Sequence, residues 1–286
     1  MTDRLILLGT KGGPALRETG PSFLPTSMLL VLGEKRLVLD CGIGVSQAIA
    51  RSGEPLTAIS DIFISHFHSD HYLELGGLIH TMWVSGRNAP ITIHAPKGIE
   101  EVWAGFLSMM AADIAIRIDD EGRPDLAAMV RLNIVEEGLV MAEDGLRVEA
   151  LRNNHPPLDE SYALSVACGD RRFVFSGDTA PFPPLAEFAR GADLLVHEAM
   201  LEKGVRYILA RTGHADDRLE QHIRRSHTPV AEAAKIAAAA GVGHLVLNHL
   251  LPPERSIAPD EDWLAEAAPH FSGTITVGCD GLVIPL

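Results

Sequence analysis

Ile64-Ser65-His66-Phe67-His68-Ser69-Asp70-His71 sets three histidines and one aspartate within six residues, directly after an apolar run. The pattern is H-x-H-x-D-H. Imidazole nitrogen and carboxylate oxygen suit zinc and its divalent neighbours, and a strand over residues 61–65 would deliver all four side chains from its end in fixed directions. With 13 His and 38 acidic residues in 286, composition alone produces this order roughly 0.004 times, so chance clustering is a poor account of it.

Around this stretch the chain reads as globular. Its 286 residues, 47% hydrophobic and 22% charged, suffice for a large buried core, and no repeat or low-complexity linker divides it, so one domain over residues 1–286 is expected. A formal charge of −14 works against tracking a phosphate backbone, which normally needs a basic face. The apolar run after Met1-Thr2-Asp3-Arg4 is too short for a secretory segment, and no stretch of about 18 apolar residues offers a membrane span. Cys41, Cys168 and Cys279 are widely spaced and form no C-x-x-C pair, which suits a reducing, cytoplasmic compartment.

Strand-like runs at residues 5–8, 27–32, 36–39, 62–64, 91–94, 173–175, 194–196, 245–247 and 274–277 are separated by helical patterns at 44–51, 73–83, 99–110 and 230–240. This is an α/β pattern. Thr228 is a candidate N-cap and Gly241 a stop for the last helix. The Gly9-Thr10-Lys11-Gly12-Gly13-Pro14 run lacks the spacing of a phosphate-binding loop and no helical pattern follows it, so a tight turn is expected.

The H-x-H-x-D-H stretch resembles the metal-binding signature of the metallo-β-lactamase fold. Segments downstream resemble the ribonuclease Z-like branch of that fold, with metal-dependent arylsulfatases and class II cyclic-nucleotide phosphodiesterases among its relatives. The resemblance covers nearly the whole chain. It implies a four-layer αββα sandwich, an α/β architecture with mixed β-sheets and outer helices, and two divalent metal ions, zinc first, with manganese or iron(II) as alternatives.

Four ligands from one loop do not complete two sites, and the resemblance points to three more residues. His155 lies in Asn153-Asn154-His155-Pro156, Asp178 ends the strand-like Val174-Phe175-Ser176-Gly177-Asp178, and His249 ends Leu245-Val246-Leu247-Asn248-His249. The family pattern then assigns His66, His68, His155 and Asp178 to one metal and Asp70, His71, Asp178 and His249 to the other. Water between two such metals loses a proton near neutrality and becomes the nucleophile. Asp70 is a ligand and also a candidate proton acceptor from that water. Asp40, in Leu39-Asp40-Cys41-Gly42, resembles a carboxylate that orients a ligand, although a turn aspartate would look the same. Redox members of the fold carry an acid where this chain has His68, so the resemblance favours hydrolysis.

Glu198, in Val196-His197-Glu198-Ala199, and His227, in Ser226-His227-Thr228-Pro229, resemble the pair that faces the leaving group in ribonuclease Z relatives. His227 would also suit a place at the start of a helix, and His197 has no ligand role in the pattern. His80, His94, His214, His222, His244 and His270 are read as surface or core histidines.

Between His155 and Asp178 there is room only for a hairpin, where bacterial ribonuclease Z carries a long arm that grips transfer RNA. Residues 199–226, with Arg206, Arg211, Arg218, Arg224 and Arg225 among acids, suit either a lid or a solvated helical surface. The expected function is hydrolysis of a small sulfate ester, carboxylic ester or lactone, or phosphodiester. Its alternatives are a transfer-RNA 3′ processing endonuclease and, in another class, a non-catalytic metal-binding protein. Residues 73–87 and the segment beyond resemble the part through which ribonuclease Z relatives dimerise, so the expected partners are a small-molecule substrate and a second copy of the chain.

Overall fold

The computed structural model describes residues 3–16, 23–212 and 216–286. Two seven-stranded sheets face one another. The first is built from β1 (Arg4–Gly9), β2 (Ser27–Leu32), β3 (Lys35–Leu39), β4 (Asp61–Phe63), β5 (Ile91–Ala95) and β6 (Val130–Ile134). The second holds β7 (Gly138–Glu143), β8 (Leu146–Arg152), β9 (Tyr162–Cys168), β10 (Arg171–Phe175), β11 (Leu194–Met200), β12 (His244–Leu251) and β13 (Thr274–Val277). The chain then returns to pair β14 (Leu282–Pro285) with β1. Each sheet is antiparallel in one half and parallel in the other, with β3 to β6 parallel in the first and β10 to β13 parallel in the second.

The continuous apolar runs of the sequence follow from burial on both faces. Along β2, Leu29 and Val31 enter the core beneath the first sheet's helices, while Met28, Leu30 and Leu32 enter the core between the sheets. β1 divides in the same way, with Ile6 and Leu8 outward and Leu5 and Leu7 between the sheets. A strand sandwiched twice has no polar face, so period-two alternation vanishes. The first sheet is accompanied by α1 (Val45–Ser52), α2 (Ser69–Tyr72), α3 (Leu75–Val84), α4 (Ile99–Glu121) and α5 (Leu126–Met129). The second carries α6 (Pro184–Phe188), α7 (Glu202–Thr212), α8 (Arg218–Ser226), α9 (Val230–Ala240) and α10 (Asp260–Ala267). A third core, with Leu195, Leu245, Leu247, Ala234, Ala237 and Trp263, packs α9 and α10 onto that sheet. The result is the helix, sheet, sheet, helix sandwich expected.

Two local readings change. The helix expected over residues 99–110 runs on to Glu121, because Arg117 bonds Asp113 and Glu121 one turn to either side (2.9 and 2.8 Å) and Gly122, at φ 67°, ends it. Thr228 does not cap α9. Pro229 holds that position, and the Thr228 hydroxyl donates instead to the carbonyl of Thr179, 2.6 Å away. Residues 199–226 hold the helix pair α7 and α8; within that stretch the Arg211 side chain lies outside the described residues, as does His214.

The functional loops all follow the carboxyl ends of strands or interrupt them. Asp40 follows β3, His66 follows β4, His155 follows β8 and Asp178 follows β10. Loops from both sheets thus meet along one edge of the sandwich.

Candidate metal centre

His249 shows how backbone geometry aims a side chain. β11 and β12 pair residue for residue through Glu198 and Asn248, then skip so that Ala199 faces Leu250. His249 is the extra residue, a bulge at φ 43°, and the bulge turns its ring toward the first sheet's loops. Gly177 does the same for Asp178. It sits at φ 58°, and a Cβ there would lie 2.6 Å from the carbonyl oxygen of Tyr162.

Seven side chains meet there in two groups. His66 Nε2 and His155 Nε2 lie 3.2 and 3.0 Å from His68 Nδ1. Asp178 Oδ2 lies 3.8 Å from His66 and 4.0 Å from His155. On its other side the same oxygen is 3.2 Å from His71 Nε2 and 3.0 Å from His249 Nε2. Asp70 Oδ2 completes the second group at 3.6 Å from His71 and 3.3 Å from His249. Bonds of about 2.0–2.1 Å from one tetrahedral ion to nitrogen and oxygen separate the ligand atoms by roughly 3.3–3.4 Å, and the observed spacings bracket that value. The residues present therefore fit a divalent ion in each group.

Neighbouring groups set the direction of each ring. Asp40, itself strained at φ 62°, accepts from His71 Nδ1 (2.8 Å), Ser65 N (2.8 Å) and Ser65 Oγ (3.0 Å). His155 Nδ1 donates to the carbonyl of Ser226 at 2.9 Å. Both contacts take up Nδ1 and turn Nε2 toward the group. His71 Nε2 is then a buried atom with no hydrogen-bond partner, as expected of a metal-facing nitrogen. Asp70 is steadied by the amide of Gly13, 2.7 Å from Oδ2, so the glycine run after β1 is more than a turn.

Charge follows the same logic. Burial alone would raise the pKa of Asp178, yet His249 and His71 hold it well below the carboxylate range, and His71 and His249 do the same for Asp70. Burial would lower the pKa of His71, but Asp178, Asp40 and Asp70 drive it well above the ordinary value. A proton on His71 there answers the same demand for positive charge that a divalent ion would meet. His66 and His68 are lowered by burial, and burial takes His155 down to about 4, so these rings are neutral and able to ligate at pH 7.

Beside the two groups, Glu198 reaches His227 Nδ1 with both oxygens, at 3.2 and 3.1 Å, and accepts from Thr179 N at 2.6 Å. Burial lowers the pKa of His227 and raises that of Glu198, so the pair shares a proton; with two oxygens facing one nitrogen, it rests on the imidazole, whose pKa is carried up to about 9 by Glu198 with help from Asp178 and Asp70. Glu198, His227 and His249 also lie close enough to hold a metal, but Glu198 already occupies His227 Nδ1. His197 stays apart, donating through Nδ1 to the carbonyl of Glu198 at 2.7 Å. His80, His94 and His244 are tied to Asp113, Asp61 and Thr276 away from the centre. His222, read from the sequence as an ordinary surface or core residue, is different: its ring stands 5.9 Å from that of His68 and 6.2 Å from that of His227.

Comparison with known proteins agrees with this geometry. A family model described as anti-Pycsar protein Apyc1 matches residues 4–227. Ribonuclease Z of Mycobacterium sp. (strain KMS) is 35% identical over 281 residues, covering 96% of this chain and 93% of that protein. The chain belongs to the ribonuclease Z-like metallo-β-lactamase-fold hydrolases, in the family that model describes. The fold itself recurs in the metallo-β-lactamase fold protein YhfI from Bacillus subtilis, with a TM-score of 0.73, 20% identity and 99% of both chains covered. Human tRNase Z, short form, gives a TM-score of 0.68 at 20% identity over 98% of both chains. As a metal-dependent hydrolase of this group the protein is an enzyme, which overturns the alternative of a non-catalytic metal-binding protein.

The hydrolase opens to solvent through a cavity of about 410 Å³. Asp70, Asp178, His68, His227 and His249 form part of its lining. Lys11 is the one Lys or Arg among the described lining residues, and its ammonium group donates to the carbonyls of Gly12, at 3.1 Å, and Gly13. No helix among the described residues is long and apolar enough to cross a membrane.

Proposed function

We propose that the protein hydrolyses a small phosphodiester. Two divalent ions, zinc with manganese or iron(II) as alternatives, would be held by His66, His68, His155 and Asp178 and by Asp70, His71, Asp178 and His249. Such ions supply the Lewis acidity that activates water at neutral pH. Asp178 presents one oxygen to both groups and fixes their separation. The depressed pKa of Asp70 makes it a weak base, so it acts as a ligand first and only secondarily as a proton acceptor. Water adds to phosphorus, the P–O bond to the leaving group breaks, and His227, oriented through Nδ1 by Glu198, gives a proton to the departing oxygen.

The observation that carries the reading is the cavity. Its volume falls within the about 300–1,000 Å³ typical of small-molecule sites, and the single lysine among its described lining residues, turned to backbone carbonyls, offers little grip on a polyanion. The net charge of −14 points the same way. A transfer-RNA 3′ endonuclease is the second reading, favoured by 35% identity to proteins named Ribonuclease Z over 96% of this chain. Those relatives align over 93% of their own length, so they leave little room for an added arm, and the hairpin of β9 and β10 does not by itself separate the two readings. The test is a panel of p-nitrophenyl phosphodiester, sulfate and carboxylic ester substrates beside a transfer-RNA precursor. Turnover of the phosphodiester supports the proposal, whereas efficient precursor cleavage with an inert panel reverses the order.

A homodimer acting in the cytoplasm completes the proposal. Met109 on α4 and Leu73 before α3 are 73% and 57% exposed, which suits cover by a second copy, and Cys41, Cys168 and Cys279 are unpaired thiols. Light scattering on the purified protein measures the mass directly.

A further inference from the structure

Neither metal group nor the Glu198–His227 pair uses Lys11. Its side chain is 9% exposed at the wall of the cavity, and the ammonium turns back to donate to the carbonyls of Gly12, at 3.1 Å, and Gly13. The Gly12 carbonyl and the Gly13 N–H are the two ends of one peptide unit, and in a trans peptide they point in opposite directions. On the far side that N–H donates to Asp70 Oδ2 at 2.7 Å. The same oxygen faces His71 and His249, at 3.6 and 3.3 Å, in the second group of ligands. One peptide thus links the ammonium of Lys11 to a carboxylate of the second metal group.

That peptide needs holding. A Cβ on Gly12 would lie 2.8 Å from His249 Cε1 and 2.6 Å from the Leu251 side chain, and Gly13 sits at φ 79°, so both positions call for glycine. Rotating the peptide between them changes only ψ of Gly12 and φ of Gly13, and glycine accepts φ of either sign. A flipped peptide would turn the Gly12 carbonyl toward Asp70 and set oxygen against oxygen. An ammonium on that carbonyl fixes the orientation, and its charge polarises the peptide so that the N–H becomes a stronger donor.

From this we infer that Lys11 is a positioning residue for the second metal ion: acting through the Gly12–Gly13 peptide it aims Asp70 Oδ2, so its loss weakens the site of Asp70, His71, Asp178 and His249 and spares that of His66, His68, His155 and Asp178. The inference rests on the two-ion assignment of the proposed function and is independent of the substrate. The role is geometric. As a bare charge the ammonium opposes a cation, and electrostatics alone predicts the contrary result, that removing it tightens binding.

Lys11→Met keeps the aliphatic stem and removes the donors. In stepwise chelator competition, the affinity of one zinc ion should fall about tenfold or more, the other should keep its affinity, and the weakened ion should be the one that Asp70→Asn also weakens. Amide exchange followed by NMR on the zinc-loaded protein should find the Gly13 N–H protected in wild type and exchanging at least about tenfold faster in the variant. The Gly42 amide, which donates to the carbonyl of Thr26 at 3.2 Å, should not change. Equal weakening of both ions, unchanged or tighter zinc binding, or an unprotected Gly13 amide in wild type would overturn the inference. So would a raised KM for p-nitrophenyl phosphodiester in excess zinc with both ions held as in wild type, the mark of a lysine that grips the substrate. Should Lys11→Met not fold, the Gly13 amide of the wild type decides. A wild type that binds fewer than two ions refutes the two-ion assignment and the inference with it; two ions held equally well by wild type and variant refute the role of Lys11 alone.

Discussion

Replacing Glu198 by Gln isolates what the carboxylate does for His227. The amide oxygen, placed where Oε1 stands, can still accept from Thr179 N at 2.6 Å and from His227 Nδ1 at 3.2 Å, so the ring keeps an acceptor while the charge is removed. With the carboxylate present, His227 titrates at about 9 in spite of burial. Without it, burial is opposed only by Asp70 and Asp178, and divalent ions on those two carboxylates cancel most of that support, so the imidazole should titrate at or below its ordinary value. At pH 7.5 a group titrating at about 9 is roughly 97% protonated, and one at 6.5 roughly 9%, a loss of about tenfold in competent acid. The acid form disappears as pH rises, so the variant should lose turnover of a poor leaving group at lower pH than wild type. The assay is kcat against pH for an alkyl and a p-nitrophenyl leaving group, with metal content measured alongside. We expect the alkaline limb for the alkyl group to move down by about two and a half pH units, with kcat falling about tenfold at pH 7.5 and the aryl substrate affected less. A limb that stays in place, with an equal drop for both leaving groups, would reject the acid role.

Asp178→Ala removes the oxygen that faces both groups, and metal analysis should show loss of bound ions together with near-complete loss of activity; retention of two ions per chain would sink the ligand assignment. Asp40→Ala strips His71 Nδ1 and Ser65 of their acceptor, and metal affinity measured by chelator competition should weaken about 10–100-fold with the fold intact by circular dichroism. Gly12→Ala would set a Cβ 2.8 Å from His249 Cε1 and 2.6 Å from the Leu251 side chain, so the displaced ring should lower occupancy of the group containing Asp70; unchanged metal content would show that the loop yields instead.

The centre was legible because its ligands follow apolar runs, and an apolar run that stops at a histidine or aspartate keeps that signature in the sequence. His66 after β4, Asp178 after β10 and His249 in β12 all read this way. His222 carries no such signature. It lies on an amphipathic helix between Gln221 and Ile223, and only the packing of α8 over the edge of the sandwich brings it toward His68. The amide of Gly13 and the carboxylate of Asp280, which accepts from Thr10 N and Leu24 N at 3.0 and 2.7 Å, were hidden for another reason: a backbone donor or a distant loop partner leaves no pattern. β8 escaped a search for apolar runs because one of its faces is exposed. In β8 only Leu146, Val148 and Ala150 point inward, between Arg147 and Glu149.

Asp40, Asp70, Asp178 and Glu198 are each at least 95% buried along one edge of the sandwich, and four carboxylates this close demand positive charge. In the metal-free protein that charge comes from protons, on His227 beside Glu198 and on His71 beside Asp40, Asp70 and Asp178. An ion in the second group needs the His71 Nε2 lone pair, so it must displace the proton there. His71 is held well above its ordinary pKa, so at pH 7 this proton is present before binding and absent after it, and metal affinity should climb with pH across the neutral range. Titrating zinc into metal-free protein in buffers of different ionisation enthalpy counts the protons released. We expect about one per chain from His71. A binding enthalpy independent of buffer would mean that His71 is already neutral, and that the carboxylates of this edge are balanced in some other way.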